Sequence, residues 1–247
     1  MKKLTIILLV FIGFTSCQND GEELPAEIQV NFTFSHFLNG EALELDGKVF
    51  TLPSGERFTP KKFKYYISNI RFENSENGDS YIVSEGYYLI DEAGKKEFSI
   101  TVPTGRYDKL SYYVGIDKER NLSTDQVGDL DPSNDMVWNW KTGYKFLVLE
   151  GEWEYGTSER RGLVMHIGNN DPETELNFKQ FTFDLASQGR SLGSDAMVNL
   201  DLEAELGSLF IGDNNLIVHE LDNTSIMGGP LAINIANNYQ KGLFSFK

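Results

Sequence analysis

The stretch Ile28-Gln29-Val30-Asn31-Phe32-Thr33-Phe34 alternates apolar and polar residues for seven positions, and this alternation decides the fold class. Successive side chains of an extended strand point to opposite faces, so a period of two marks a strand with one face in a core. Comparable runs occur at 63–72, 81–90, 98–102, 110–116, 144–149, 163–167 and 178–185. Between them, Pro53-Ser54-Gly55, Glu76-Asn77-Gly78-Asp79, Glu92-Ala93-Gly94-Lys95 and Pro103-Thr104-Gly105 supply the residues that reverse a chain. About eight short strands with frequent turns predict a mainly β protein, an antiparallel β-sandwich or barrel-like single domain over residues 27–247. Near the C-terminus the period changes. Leu231, Ile235 and Tyr239 are spaced four apart with Ala232 and Ala236 beside them, which predicts a short C-terminal helix opened by Pro230 and ended near Gly242. Residues 200–210 read as strand, helix or both.

Composition bounds the function. The chain has 247 residues, 40% of them hydrophobic and 13% aromatic, which is enough for a substantial core and excludes a disordered or fibrous protein. Its formal net charge of −15 argues against a grip on phosphate backbones, so no nucleic-acid partner is expected. The single cysteine, Cys17, excludes an internal disulfide, a Cys-rich zinc site and a CxxC redox pair. HExxH, GxSxG and glycine-rich phosphate loops are absent. A catalytic role is not expected.

The N-terminus reads as an address. Two lysines, an apolar run from Leu4 to Phe14 and small residues up to Ser16 form a signal peptide, residues 1–16, too short to span a bilayer. Phe14-Thr15-Ser16-Cys17 resembles a bacterial lipobox, which makes Cys17 the lipidated first residue of a mature chain. Residues 17–26 are polar and aperiodic, as expected of a lipidated N-terminus and tether. The expected location is the cell envelope, lipid-anchored on the periplasmic face or on the outer surface of the outer membrane.

Three clusters could carry chemistry. Histidine is scarce, so an imidazole site must draw on His36, His166 and His219. His36 keeps the parity of Val30, Phe32 and Phe34, which turns its ring inward. Strand geometry sends Met165 and His166 to opposite faces. His36 and His166 are the leading metal ligands, with Met136 and Met165 as soft candidates, a donor set that suits copper. The second cluster, Met136-Val137-Trp138-Asn139-Trp140, puts Met136, Trp138 and Trp140 on one side of an extended segment. It is either a core stripe or the wall of a ligand groove. In the third, the long loop 118–135, Asp125, Asp129, Asp131 and Asp135 are closely spaced. Asp129, Asp131 and Asp135 form a candidate calcium loop, or else a solvated acidic one.

Several segments resemble one family. Lys64-Tyr65-Tyr66-Ile67-Ser68-Asn69-Ile70, Val114-Gly115-Ile116-Asp117 with Asn121, Leu130-Asp131-Pro132, Met136-Val137-Trp138-Asn139-Trp140 through Phe146, Leu149-Glu150-Gly151, His166-Ile167-Gly168 and Leu231 to Tyr239 occur in the order expected of the MbnP-like family. The resemblance implies a secreted, mostly β copper-binding protein. It also implies a di-haem MbnH-type partner and a copper ion held by histidine together with a tryptophan oxidised to kynurenine. Trp138 and Trp140 are the candidates for an oxidised or site-lining aromatic. Phe34 stands where some relatives carry an aromatic two residues before a histidine, and Leu122 stands where some carry histidine. The expected function is therefore a lipid-anchored envelope protein for copper storage, uptake or delivery; the alternative is a surface glycan- or protein-binding sandwich module without metal.

Overall fold

A computed structural model describes residues 26–123, 126–139, 142–169, 176–188, 192–193 and 197–247. The expected signal peptide, residues 1–16, and Cys17, Asp125 and Trp140 lie outside the described residues. In chain order the elements are β1 (Glu27–Leu38), β2 (Glu41–Ala42), β3 (Phe50–Thr51), β4 (Arg57–Glu73), β5 (Ser80–Ile82), β6 (Tyr87–Asp91), β7 (Glu97–Pro103), β8 (Lys109–Val114) and α1 (Lys118–Asn121). There follow β9 (Val137–Asn139), β10 (Gly143–Tyr144), β11 (Leu147–Glu154), β12 (Arg161–Ile167), β13 (Lys179–Asp184), β14 (Met197–Glu205), β15 (Ser225–Ile226), α2 (Gly229–Gly242) and β16 (Phe244–Phe246).

Two sheets share one core. The smaller runs β16-β14-β1-β2, with β7 also on β1; the larger runs β13-β8-β4-β11-β12-β15, with β3, β5 and β6 also on β4. The mainly β expectation with a C-terminal helix holds, but the pairing is mixed rather than wholly antiparallel. β1 runs parallel to β14 from Gln29↔Met197 to Phe37↔Glu205, and β12 runs parallel to β15. All strands of the larger sheet except β15 lie between β1 and β14 in sequence, and a connection that long frees the returning strand to enter in either direction.

The alternation of β1 works as read: Ile28, Val30, Phe32, Phe34, His36 and Leu38 are all buried. They face Phe63, Tyr65 and Ile67 of β4, and α2 closes the core with Ala232, Ile235, Ala236 and Tyr239. Each fully buried aliphatic or phenyl side chain contributes roughly 1.5–3 kcal/mol. A smaller apolar cluster, with Tyr66, Leu89, Met136, Tyr144, Phe146 and Val148, covers the outer face of the larger sheet.

β4 starts before the run that the sequence pattern marked, because its parity changes between Phe58 and Phe63, and it changes again inside that run. The core positions are Phe58, then Phe63, Tyr65 and Ile67, then Ile70 and Phe72. Each change coincides with a register shift, one opposite Glu150 and Gly151 of β11 and one between Ser68 and Arg71 against β8. Each bulge adds an unpaired residue and returns the next apolar side chain to the core. Asn69 takes the left-handed conformation at the second one (φ 51°), a region that asparagine tolerates better than most residues. The expected run 81–90 is two strands, split around Glu85 at φ 56°. Residues 200–210 are strand then 3-10 turn, Leu206–Leu209. The acidic loop holds α1 and two 3-10 turns, Gly128–Leu130 and Pro132–Asn134.

Candidate functional site

The two leading histidines do not meet. His36 enters the core from β1, where its Nδ1 lies 2.6 Å from Glu92 Oε2 and its Nε2 lies 2.9 Å from the Tyr65 hydroxyl. Burial holds the Tyr65 hydroxyl well above the usual phenol range, so it stays protonated and donates to Nε2. Burial pushes the Glu92 carboxyl up, but the His36 hydrogen bond and the Lys96 charge outweigh it and hold the group below its ordinary range. Glu92 is thus an anion that accepts from Nδ1–H. Both ring nitrogens are engaged, and the Phe63 ring packs edge-on at 5.0 Å.

His166 belongs to the other face of the larger sheet. It pairs with Val148 of β11, which in turn pairs with Lys64 of β4. Side chains that sit opposite one another across a ladder share a face, so His166 lies with Lys64 and Val148 outside, whereas Tyr65, His36 and Met165 lie inside. The expectation that His36 and His166 share one ion is corrected by this geometry: a sheet of backbone stands between them. The same parity separates the two methionines. Met136 is buried in the outer cluster and Met165 in the main core.

On the outer face His166 is set in a charged chain. Its Nε2 lies 2.8 Å from Glu150 Oε1, Lys62 Nζ lies 3.5 Å from the same oxygen, and Lys62 also reaches Asp135 at 2.9 Å. The buried Lys145 ammonium donates to the Asp135 carbonyl at 3.0 Å. Glu150 sits one step diagonally from His166 because it pairs with Val164, two residues before it. Burial raises the Glu150 carboxyl, but the His166 hydrogen bond and Lys62 together hold it below the ordinary range. Burial lowers the His166 imidazole from its ordinary value, Glu150 opposes that shift, and the Lys145 and Lys62 charges reinforce it. The ring is therefore neutral at pH 7 and its proton sits on Nε2, facing Glu150. That leaves the lone pair on Nδ1, which is buried and has no hydrogen-bond partner among the described residues. Trp138 lies on the same face with its ring against Gly168, two residues beyond His166, and its Nε1 is likewise buried without such a partner.

The calcium loop is also corrected. Asp129 accepts from Leu89 N at 3.0 Å and Lys95 Nζ at 2.6 Å, Asp131 caps a 3-10 turn through Ser133 N at 2.8 Å, and Asp135 is bound by Lys62. Two of the three carboxylates already have lysine counter-charges, and the third is occupied with its own turn. Among the described residues no group of three or more His, Cys, Asp or Glu side chains is placed to hold a metal.

Sequence reasoning missed the partners of each imidazole. Glu150 was legible as part of Leu149-Glu150-Gly151, but its role follows only from the β11–β12 register. Glu92 lies in a turn and carried no signal that pointed to His36. His219, the third histidine, has its own carboxylate, Glu56, at 2.5 Å from Nδ1.

Fold and site together define a mixed β-sandwich domain with a carboxylate-held imidazole on its outer face. The chain belongs to the MbnP family, whose model matches residues 27–228. MbnP from Methylosinus trichosporium has a similar structure, with a TM-score of 0.57 at 15% identity, covering 81% of this chain and 83% of that one. At that identity the likeness shows the fold alone. No curated protein matches the chain. Family membership suggests a copper-related role.

Proposed function

We propose that this is a non-catalytic, lipid-anchored protein of the cell envelope that binds copper for storage, uptake or delivery, with His166 as its imidazole ligand. One observation carries the choice of ligand: the buried, unpartnered Nδ1 of His166, whose opposite nitrogen is held by Glu150. Metal-binding histidines usually donate their second N–H to a carboxylate, which fixes the tautomer and raises the basicity of the ligating nitrogen. A buried imidazole lone pair with nothing to accept is otherwise a net cost to the fold. A neutral imidazole with a thioether on the same face suits the soft Cu(I) ion. Met136, on the same face, is the soft donor compatible with this site; Met165 and His36 are not. The described residues contribute a single nitrogen rather than a complete ligand set.

The envelope location rests on the signal-like residues 1–16 and the lipobox-like sequence ending at Cys17. A di-haem MbnH-type partner is implied by the family resemblance, with Trp138 and Trp140 as the candidates for an oxidised or site-lining aromatic. The test is copper content of the mature protein after anaerobic Cu(I) loading. His166→Ala is expected to lose most of the bound metal and His36→Phe to keep it. Wild-type protein that takes up no copper, or an unchanged content in His166→Ala, would reject the reading.

A further inference from the structure

Six tyrosines are buried among the described residues, and they differ in what could take the phenolic proton. Tyr66, Tyr107, Tyr144 and Tyr239 donate to the backbone carbonyls of Asp129, Pro103, Leu130 and Asn177. Tyr112 has no hydrogen-bond partner among the described residues. Tyr65 alone donates to a base, His36 Nε2 at 2.9 Å. A carbonyl accepts a hydrogen bond but does not take the proton; an imidazole nitrogen does both. The protonation of the ring follows from its neighbours. Nδ1 lies 2.6 Å from Glu92 Oε2, and Nε2 is the acceptor that the Tyr65 hydroxyl has among the described residues. A charged ring would carry a hydrogen on Nε2 and leave this fully buried hydroxyl with no acceptor, whereas a neutral ring protonated on Nδ1 satisfies both groups.

A phenol that loses an electron becomes a strong acid, and a buried radical cation is costly. A phenol already bonded to a positioned base avoids that state by releasing electron and proton together. We propose that Tyr65 is a redox-active residue, which reduces a strong one-electron oxidant while its phenolic proton passes to His36. The Tyr65 O–H bond breaks, an Nε2–H bond forms on His36, and the oxidant gains the electron. The products are a neutral tyrosyl radical and an imidazolium whose positive charge is held against the Glu92 carboxylate. Returning the electron reverses each step. Phe34, Phe63 and Phe244 surround the phenol with ring centroids at 5.9, 5.3 and 5.5 Å, so the radical is screened from water and from coupling to a second phenol. Ring contacts also give the electron a way out. Phe34 lies 6.2 Å from Phe98, on which the half-buried Tyr88 stacks at 3.8 Å. The proposal is independent of the copper reading, in which His36 is not a ligand.

Photogenerated tris(bipyridine)ruthenium(III) supplies the oxidant for the mature protein with no copper added. Freeze-quenched samples are expected to show the electron paramagnetic resonance signal of a tyrosyl radical. Tyr65→Phe should remove most of it, while Tyr112→Phe, which deletes an equally buried hydroxyl with no base beside it, should keep it. His36→Gln leaves an amide oxygen that can accept from the Tyr65 hydroxyl but cannot take its proton. Flash absorption should then show radical formation slowed by at least about a hundredfold, the lower end of what a positioned base contributes. A merely structural His36 would leave that rate unchanged, and circular dichroism reports whether each variant is folded. No tyrosyl signal in the wild type, an undiminished one in folded Tyr65→Phe, or formation at the wild-type rate in folded His36→Gln would overturn the proposal.

Discussion

At the scale of the residue, His36 shows how a core imidazole is made tolerable. Tyr65 donates to Nε2, Glu92 accepts from Nδ1, and Lys96 Nζ stands 3.4 Å from the other Glu92 oxygen. The chain thus runs from a dry interior to an ammonium that is partly in water. Removing the hydroxyl alone, in Tyr65→Phe, leaves a buried nitrogen with no donor and only a small vacant space. The expected loss is about 1–3 kcal/mol of stability, read from the urea midpoint at constant m-value. A change within about 0.5 kcal/mol, the scale of a surface substitution, would mean that the Tyr65 bond contributes nothing. Inward parity of His36 was legible from Val30, Phe32 and Phe34; the identity of its partners was not, since Tyr65 and Glu92 come from another sheet and a turn.

At the scale of the element, the bulge of β4 against β11 depends on Gly151. A Cβ there would lie 2.4 Å from Cε2 of Phe58 and 2.6 Å from the Thr59 carbonyl oxygen. The carbonyl belongs to the neighbouring ladder and cannot swing aside as a flexible side chain would. Gly151→Ala is therefore expected to push β4 and β11 apart or displace the Phe58 ring, at a cost of roughly 1–3 kcal/mol as in other overpacked cores. Thermal denaturation followed by circular dichroism measures this. The same glycine would be unremarkable on the alternation pattern alone, which sees no bulge and assigns Gly151 no constraint. That is also why the alternation marks β4 only from Phe63: the pattern is cut at the first break, whereas the strand runs through it from Arg57.

At the scale of the whole molecule, acid should loosen the fold in two stages. His166 titrates near 6.5 when unfolded and lower when folded, so the unfolded chain binds more protons in between. Its contribution is full above pH 6.5 and is lost as pH falls from there through the folded-state value. Glu56, Glu92 and Glu150 start from 4.5 and are lowered in the folded state. Their stabilisation is present above that value and is lost as pH falls below it. Denaturant midpoints measured from pH 8 to 3 should decline first below about 6.5 and more steeply below about 4.5. His166→Gln should flatten the first stage and leave the second. A profile unchanged by this substitution between pH 6.5 and 5 would show that the imidazole is not held neutral by its surroundings.

The amino-acid sequence by itself determined which residues face a core, that strands dominate, where α2 begins and ends, and which few side chains could serve a metal. Those properties follow from local periodicity and local turn chemistry, which need no knowledge of neighbours. Only the tertiary structure decided that β1 lies parallel to β14, that β4 bulges twice, and that His36 and His166 stand on opposite sides of a sheet. Two imidazoles that are 130 positions apart in the chain meet or miss according to strand order and register, and a shift of one residue exchanges the faces.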